Sequence, residues 1–236
     1  MKDRLQIVIP MAGRGHRFID AGYDRPKPFM YVDGLEMWLR VARNMPRSNR
    51  RILLVLAEHR EFLPEDDGSV VVCIGAVTEG AACTILLAEP HINMDSPILV
   101  ANSDQWLDWS PEHFASFVNR DGCDGAIVTF RASGAKWSYV SVREDGTVSE
   151  VAEKAPISHD ATCGIYYWRH AGDCFASIRK MMGKGLRVND EFYLAPSFNE
   201  LIFSGARIVA YPVPRMWSMG TPGDLERTME AKPWRS

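Results

Sequence analysis

A surplus of charge of one sign is missing from this 236-residue chain: 27 Lys and Arg stand against 30 Asp and Glu, a formal net charge of −3. Without a basic excess, a broad surface for nucleic acid or anionic membrane is excluded. No stretch approaches the roughly 18 to 20 consecutive apolar residues that a bilayer-spanning helix needs, so a soluble protein is expected. Cysteine is scarce and unpatterned. The five, at 73, 83, 123, 163 and 174, form no C-x-x-C pair and leave an odd thiol, which points to reduced cysteines and a cytoplasmic location. The histidines at 16, 59, 91, 113, 159 and 170 lie too far apart for a two-ligand helix motif, and this argues against an encoded zinc site. Also absent are a Walker A match and any Ser/His/Asp or Cys/His constellation. With no internal repeat, low-complexity tract or Pro/Gly/Ser linker, residues 1–236 read as one domain.

What is present has the composition of an ordinary folded protein, 46% hydrophobic and 24% charged. A chain of this length buries roughly 70 to 75% of its unfolded surface. Short runs rich in branched residues, at 5–10, 52–57, 70–74, 97–101, 126–130, 164–168 and 207–213, read as buried strands. Between them, 35–45, 81–89, 111–120 and 171–182 carry helical spacing, and the alternation of strand and helix argues for an α/β sheet. Residues 139–154 differ: two alternating stretches flank Arg143-Glu-Asp-Gly-Thr, the pattern of a β-hairpin. The acidic 58–67 segment reads as a solvated loop.

The most informative stretch is Ile7-Val-Ile-Pro-Met-Ala-Gly-Arg-Gly-His-Arg-Phe, followed by Pro26-Lys-Pro. A strand runs into a glycine turn, where Gly13 and Gly15 allow backbone N–H groups to approach a ligand closely. Phe18 occupies the place of the third glycine of a dinucleotide-binding fingerprint, so that reading is disfavoured. Charge is concentrated here. Residues 14–27 hold four basic residues (Arg14, Arg17, Arg25, Lys27) against Asp20 and Asp24; the other 222 hold 23 basic and 28 acidic residues, a net −5.

Gly13-x-Gly-x-Arg17-Phe18 with Pro26-Lys27-Pro28 resembles the N-terminal signature of nucleotidyltransferases that join a nucleoside triphosphate to a phosphorylated sugar. The likeness continues in family order through Thr78-Glu-Gly-Ala-Ala, Ser103-Asp-Gln, Glu153-Lys, Thr162-Cys-Gly-Ile-Tyr, Asp190-Glu-Phe-Tyr and Trp217-Ser-Met-Gly-Thr-Pro. It looks like the compact branch of capsule and surface-polysaccharide pathways, which lacks a C-terminal β-helix or acyltransferase domain. The fold so implied is a single-domain, three-layer α/β/α Rossmann-like (GT-A-like) nucleotidyltransferase with a mixed central sheet and a small β-hairpin lobe. Soluble members of such families are often homo-oligomers.

In the implied reaction an acceptor phosphate attacks the α-phosphorus of a nucleoside triphosphate. That nucleophile is largely anionic at neutral pH, since its second pKa is roughly 6, so no general base is required. The demand falls on cations. By resemblance, Arg17 meets the leaving pyrophosphate, Lys27 the α-phosphate region, and Asp104 a Mg²⁺ ion; Asp104 also follows a buried strand, where open α/β sheets present their sites. Nucleotide contacts are implied at Met11, Ala12, Gly13, Gly15, Thr78, Glu79, Gly80, Ala81, Asn102 and Ser103. Acceptor contacts fall at Gln105, Glu153, Lys154, Gly164 and Glu191. Glu153 and Lys154 are adjacent in a strand, so at most one faces the site if the strand stays regular, and Lys154 is preferred.

Ser218 departs from the pattern, because many family members carry a second metal-binding aspartate there. Asp108, Asp190 or Glu191 could contribute instead, Asp104 could suffice with substrate oxygens, or activity could be reduced. Trp106, Trp109, Trp137, Tyr166, Tyr167 and Trp168 are enough aromatics to line a pocket for a sugar ring or a quaternary ammonium. The leading expectation is an Mg²⁺-dependent enzyme acting on a sugar 1-phosphate. Its rivals are a cytidylyltransferase for phosphocholine or another non-sugar phosphate, and a non-catalytic nucleotide-binding homologue. A related glycosyltransferase is disfavoured, since Ser103-Asp104-Gln105 is not a D-x-D motif.

Overall fold

Alternation along the central strands dictates the architecture of the computed structural model, which describes residues 5–48 and 50–235. In the strand Gln6–Met11, Ile7, Ile9 and Met11 join one apolar cluster and Val8 another. Leu53 and Val55 part in the same way from Ile52 and Leu54, and Leu99 and Ala101 from Ile98 and Val100. Strands that are apolar on both faces must be covered on both faces. Helices Met37–Arg43 and Pro111–Asp121 cover one, through Trp38, Val41, Phe114 and Val118. Helices Ala81–Leu86 and Ala171–Gly183 cover the other, the latter through Ala171, Cys174, Phe175, Ile178 and Met181, one stripe at helical spacing. Three layers result, as expected.

The sheet is mixed. Gln6–Met11 lies parallel between Arg50–Leu56 and Ile98–Ala101, and Val70–Ile74 adds beyond Arg50–Leu56. On the other side, Asp160–Trp168 runs antiparallel to Ile98–Ala101 and Gly125–Arg131, which pairs parallel with Ile208–Pro212. The hairpin Ser138–Val142/Val148–Glu153 extends one edge of the same sheet through Asp160–Trp168. The 58–67 segment is more structured than a solvated loop: Ala57–Phe62 is a 3₁₀ helix whose Phe62 stacks on buried Phe29 at 5.4 Å between ring centres.

After Val70–Ile74 the chain returns to the opposite side of its first strand, which makes the gap between Gln6–Met11 and Ile98–Ala101 a topological switch point. Ligand crevices form outside the carboxyl ends of strands at such points. The gap opens early, because these two strands pair only over Gln6–Val8 and Ile98–Val100. Pro10, which has no N–H to donate, falls in the part of the first strand that this partner has already left. A two-stranded ribbon absent from the sequence-based expectations, Gln105–Asp108 with Arg215–Ser218, closes the far side.

The helix Pro111–Asp121 begins with an N-cap: Ser110 Oγ accepts from the His113 N–H at 3.1 Å. Ser110→Ala should lower stability in urea denaturation by about 1 kcal/mol; an unchanged midpoint would show that the cap contributes nothing.

Candidate active site

Gly15 has φ +67°, and a Cβ there would stand 3.1 Å from Lys27 Cβ. The glycine turn and the Pro26-Lys27-Pro28 segment are therefore two sides of one contact, with Lys27–Phe29 a single 3₁₀ turn anchored by buried Pro28 and Phe29. Phe18 is likewise buried and holds the short helix His16–Asp20 to the core. At Gly13 an added Cβ would meet nothing within 4 Å, so its bareness faces open space. Lys27 Nζ donates to Asp104 Oδ2 at 2.7 Å, with side chains 23% and 16% exposed, tying the turn to the end of Ile98–Ala101.

These residues wall a cavity of about 310 Å³ at the switch point. It gathers Met11, Ala12, Gly13, Gly15, Lys27, Thr78, Gly80, Ala81, Asn102, Ser103, Asp104 and Glu191, each expected from the sequence, with Thr84 and Tyr193 in addition. Thr78 and Thr84 share a hydroxyl contact of 2.6 Å at the start of the helix Ala81–Leu86. Gly80 has φ +129°, and a Cβ would come within 2.5 Å of the Phe192 carbonyl oxygen. Its bareness therefore serves the chain itself, letting Phe192 N donate to Glu79 O at 2.8 Å and Ala82 N to Phe192 O at 3.0 Å.

A second cavity of about 250 Å³ adjoins the first and shares Ala81, Asn102 and Tyr193 with it. Gln105, Glu153 and Gly164 lie in its wall, beside Trp137, Tyr166 and Lys136. Gly164 has φ +68°; a Cβ would lie 2.2 Å from Gln105 Oε1 and 2.3 Å from Asn102 Nδ2, so the glycine makes room for both amides. Gln105 Oε1 is buried without a hydrogen-bond partner. Glu153 accepts from Ser138 Oγ. Burial pushes its carboxyl up, against the Ser138 hydrogen bond and the Lys154 charge.

Strand regularity ends between Glu153 and Lys154. Lys154 has φ +55°, a left-handed conformation that costs a side-chain-bearing residue about 1 to 3 kcal/mol. Glu153 faces the second cavity, and Lys154 swings to Tyr193, donating from Nζ to the phenol oxygen at 2.5 Å. Only one of the pair lies in a cavity wall, and it is Glu153 rather than the preferred Lys154, which reaches the cavities through Tyr193.

Arg17 and Glu79 stand outside both walls. Arg17 is exposed on its helix and free of an ion pair among the described residues, close enough that its charge acts on the Tyr193 hydroxyl. Glu79 turns outward to pair with Arg187, and only its backbone serves the site. Four of the candidate pocket aromatics, Trp106, Trp109, Tyr167 and Trp168, pack in the apolar clusters instead. Tyr193 was overlooked, although its signal lay in the Asp190-Glu-Phe-Tyr motif.

Among the described residues no three His, Cys, Asp or Glu side chains are grouped to hold a metal. Asp108 is engaged with Trp217 Nε1 at 2.9 Å, and Asp190 lies in a turn where its carbonyl accepts from Arg187. Ser218 Oγ and Asp104 converge: a Cβ at Gly220 would lie 3.5 Å from the first and 3.2 Å from Asp104 Oδ2. One carboxylate with a hydroxyl nearby is an oxygen donor set that fits an Mg²⁺ ion completing its octahedron with phosphate oxygens and water.

No family model matches the chain. Solved structures do match, and they define the class of fold as that of the nucleotide-sugar pyrophosphorylases and sugar-phosphate nucleotidyltransferases. A nucleoside-diphosphate-sugar pyrophosphorylase from Vibrio cholerae RC9 superposes with a TM-score of 0.79 at 24% identity, over 95% of this chain and 100% of its own. The inositol-1-phosphate CTP transferase of T. maritima gives 0.74 at 18% identity, over 98% and 95%. A UDP-glucose pyrophosphorylase from Acinetobacter baumannii gives 0.76 at 16%, over 97% and 92%.

Because Gly80 admits the Phe192 backbone, Gly80→Ala should destabilise the protein by about 2 kcal/mol or more in chemical denaturation, from strain at positive φ plus the clash. Native stability in that variant would mean that the Phe192 segment can shift freely.

Proposed function

We propose that the protein is an Mg²⁺-dependent nucleotidyltransferase that joins a nucleoside triphosphate to a sugar 1-phosphate, releasing pyrophosphate and an NDP-sugar. One observation carries this reading: two cavities meet at Asn102 and Tyr193, one bounded by the glycine turn and the Lys27–Asp104 pair, the other by aromatics and a carboxylate. Such a cleft suits two substrates that must bring a phosphate oxygen to a phosphorus atom.

The triphosphate lies in the first cavity with its base against Ala12, Gly13 and the Thr78–Ala81 segment, and the acceptor lies in the second. A bond forms from the acceptor phosphate oxygen to the α-phosphorus as the bond to the β-bridging oxygen breaks, and pyrophosphate departs with that oxygen. No proton needs to be removed. Lys27 stabilises charge on the α-phosphoryl group, Arg17 meets the leaving pyrophosphate, and Lys154 meets the acceptor phosphate. Asp104, with the Ser218 hydroxyl beside it, would hold Mg²⁺, whose contribution there is charge neutralisation on the phosphate oxygens.

The second cavity favours a hydroxyl-bearing acceptor over phosphocholine. Gln105 Oε1 is a buried acceptor without a donor, which costs about 1 to 3 kcal/mol until one is supplied. Sugar hydroxyls supply donors; a quaternary ammonium has none. The T. maritima neighbour, named for inositol 1-phosphate, is consistent with a polyol.

Incubating the protein with each nucleoside triphosphate, Mg²⁺ and a panel of sugar 1-phosphates, inositol 1-phosphate and phosphocholine should release pyrophosphate with a hydroxyl-rich acceptor. Nucleotide binding without pyrophosphate from any pair would favour a non-catalytic binding protein, and turnover of phosphocholine alone would replace the sugar. In the active pair, Lys27→Ala should lower kcat/KM by on the order of 100-fold, about 3 kcal/mol of transition-state stabilisation, with the melting temperature maintained; wild-type kinetics would remove Lys27 from the chemistry.

A further inference from the structure

Tyr193 is the one side chain in the walls of both cavities whose functional group also holds a cation. Its hydroxyl accepts from Lys154 Nζ at 2.5 Å, and the Lys154 ammonium lies 4.6 Å from the centre of its ring. A phenol has one proton. With Lys154 donating to the oxygen, that proton is left for another acceptor, and burial together with the neighbouring Glu191 charge keeps the phenol protonated.

Two further features separate this contact from ordinary packing. Among the described residues Lys154 has no carboxylate in ion-pair contact, so its positive charge rests on a neutral oxygen. It is also held at φ +55°, with its own N–H donating to Trp137 O at 3.0 Å, so the backbone strain is maintained by contacts on both sides of the residue. An ammonium held in a strained conformation against a weak partner, at the junction of two cavities, is available to an incoming anion.

Resting on the nucleotidyltransferase reading, we infer that Tyr193 is a positioning residue: its hydroxyl holds the Lys154 ammonium at the junction for the acceptor's phosphate. When the acceptor binds, Lys154 keeps the phenol oxygen on one N–H and gives another to a phosphate oxygen, and little ordering remains to be done at that moment.

A double-mutant cycle on the full chain tests this, using Tyr193→Phe, Lys154→Ala and the double variant. Binding of the sugar 1-phosphate that is turned over, or of glucose 1-phosphate if none is, is measured by calorimetry alongside steady-state kinetics. Tyr193→Phe should weaken acceptor binding and raise acceptor KM about tenfold, the loss expected of one hydrogen bond to a charged group. Triphosphate KM and melting temperature should stay at wild-type values, and in the Lys154→Ala background the same change should have no further effect. If Tyr193→Phe fails to fold, Tyr193→Leu, which also lacks the hydroxyl, takes its place in the cycle with the same change expected. Additive effects, an equal change in triphosphate KM, unchanged acceptor KM or no acceptor binding by the wild type would each overturn the assignment of Tyr193. If no pair releases pyrophosphate but the coupled loss of sugar-phosphate binding is seen, the enzymatic reading falls and the role of Tyr193 stands.

Discussion

The ion pair between Lys27 and Asp104 is the contact on which the candidate site depends. Its two residues come from different parts of the chain, one from the proline-flanked turn packed on Gly15 and the other from the end of a central strand. At 2.7 Å and only part-buried, the pair is close enough to fix both side chains and wet enough to exchange partners. A fully buried pair would be too costly to break, and a fully exposed one too weak to organise a turn. Gly220 belongs to the same arrangement, since any side chain there would press on Asp104 from the opposite side.

The space beside that pair exists because two strands part early. Gln6–Met11 leaves Ile98–Ala101 after three paired residues but keeps its full length against Arg50–Leu56. The crevice is thus built into the register of the central sheet, where apolar clusters on both faces resist deformation.

Features governed by local chemistry were readable from the residues alone. Runs of branched residues located the strands, and the glycines with Pro26-Lys27-Pro28 one wall of the cavity. Features set by distant partners were not. The ribbon Gln105–Asp108/Arg215–Ser218 pairs segments more than a hundred residues apart, and neither half has enough residues to show a period. Glu79 looked like a ligand because it sits in the motif, but Arg187, over a hundred residues away, turns its carboxylate outward. The choice between Glu153 and Lys154 was not readable either, because a single left-handed residue decides where the Lys154 side chain goes, and it goes to Tyr193. Aromatics were ambiguous in principle: burial in a core and exposure to a ligand ask for the same residue types, and Tyr166 lines the second cavity while Trp168, two residues on in the same strand and the same apolar cluster, does not.

The distribution of charge around the two cavities bears on what Ser218 means for the proposed reaction. A second acid at that position would add negative charge next to Asp104, and a serine adds none. The remaining cations are differently committed. Lys27 is paired, Lys154 rests on a phenol, and Arg14 and Arg17 are free of ion pairs among the described residues. A triphosphate and a second phosphate bring far more negative charge than Asp104 and Glu191 contribute, so a site with one fewer carboxylate needs less positive charge to receive them. On this reading Ser218 shifts the balance from metal held by the protein toward cations held by the protein. The basic segment 14–27 then supplies positive charge that a second bound metal would otherwise bring.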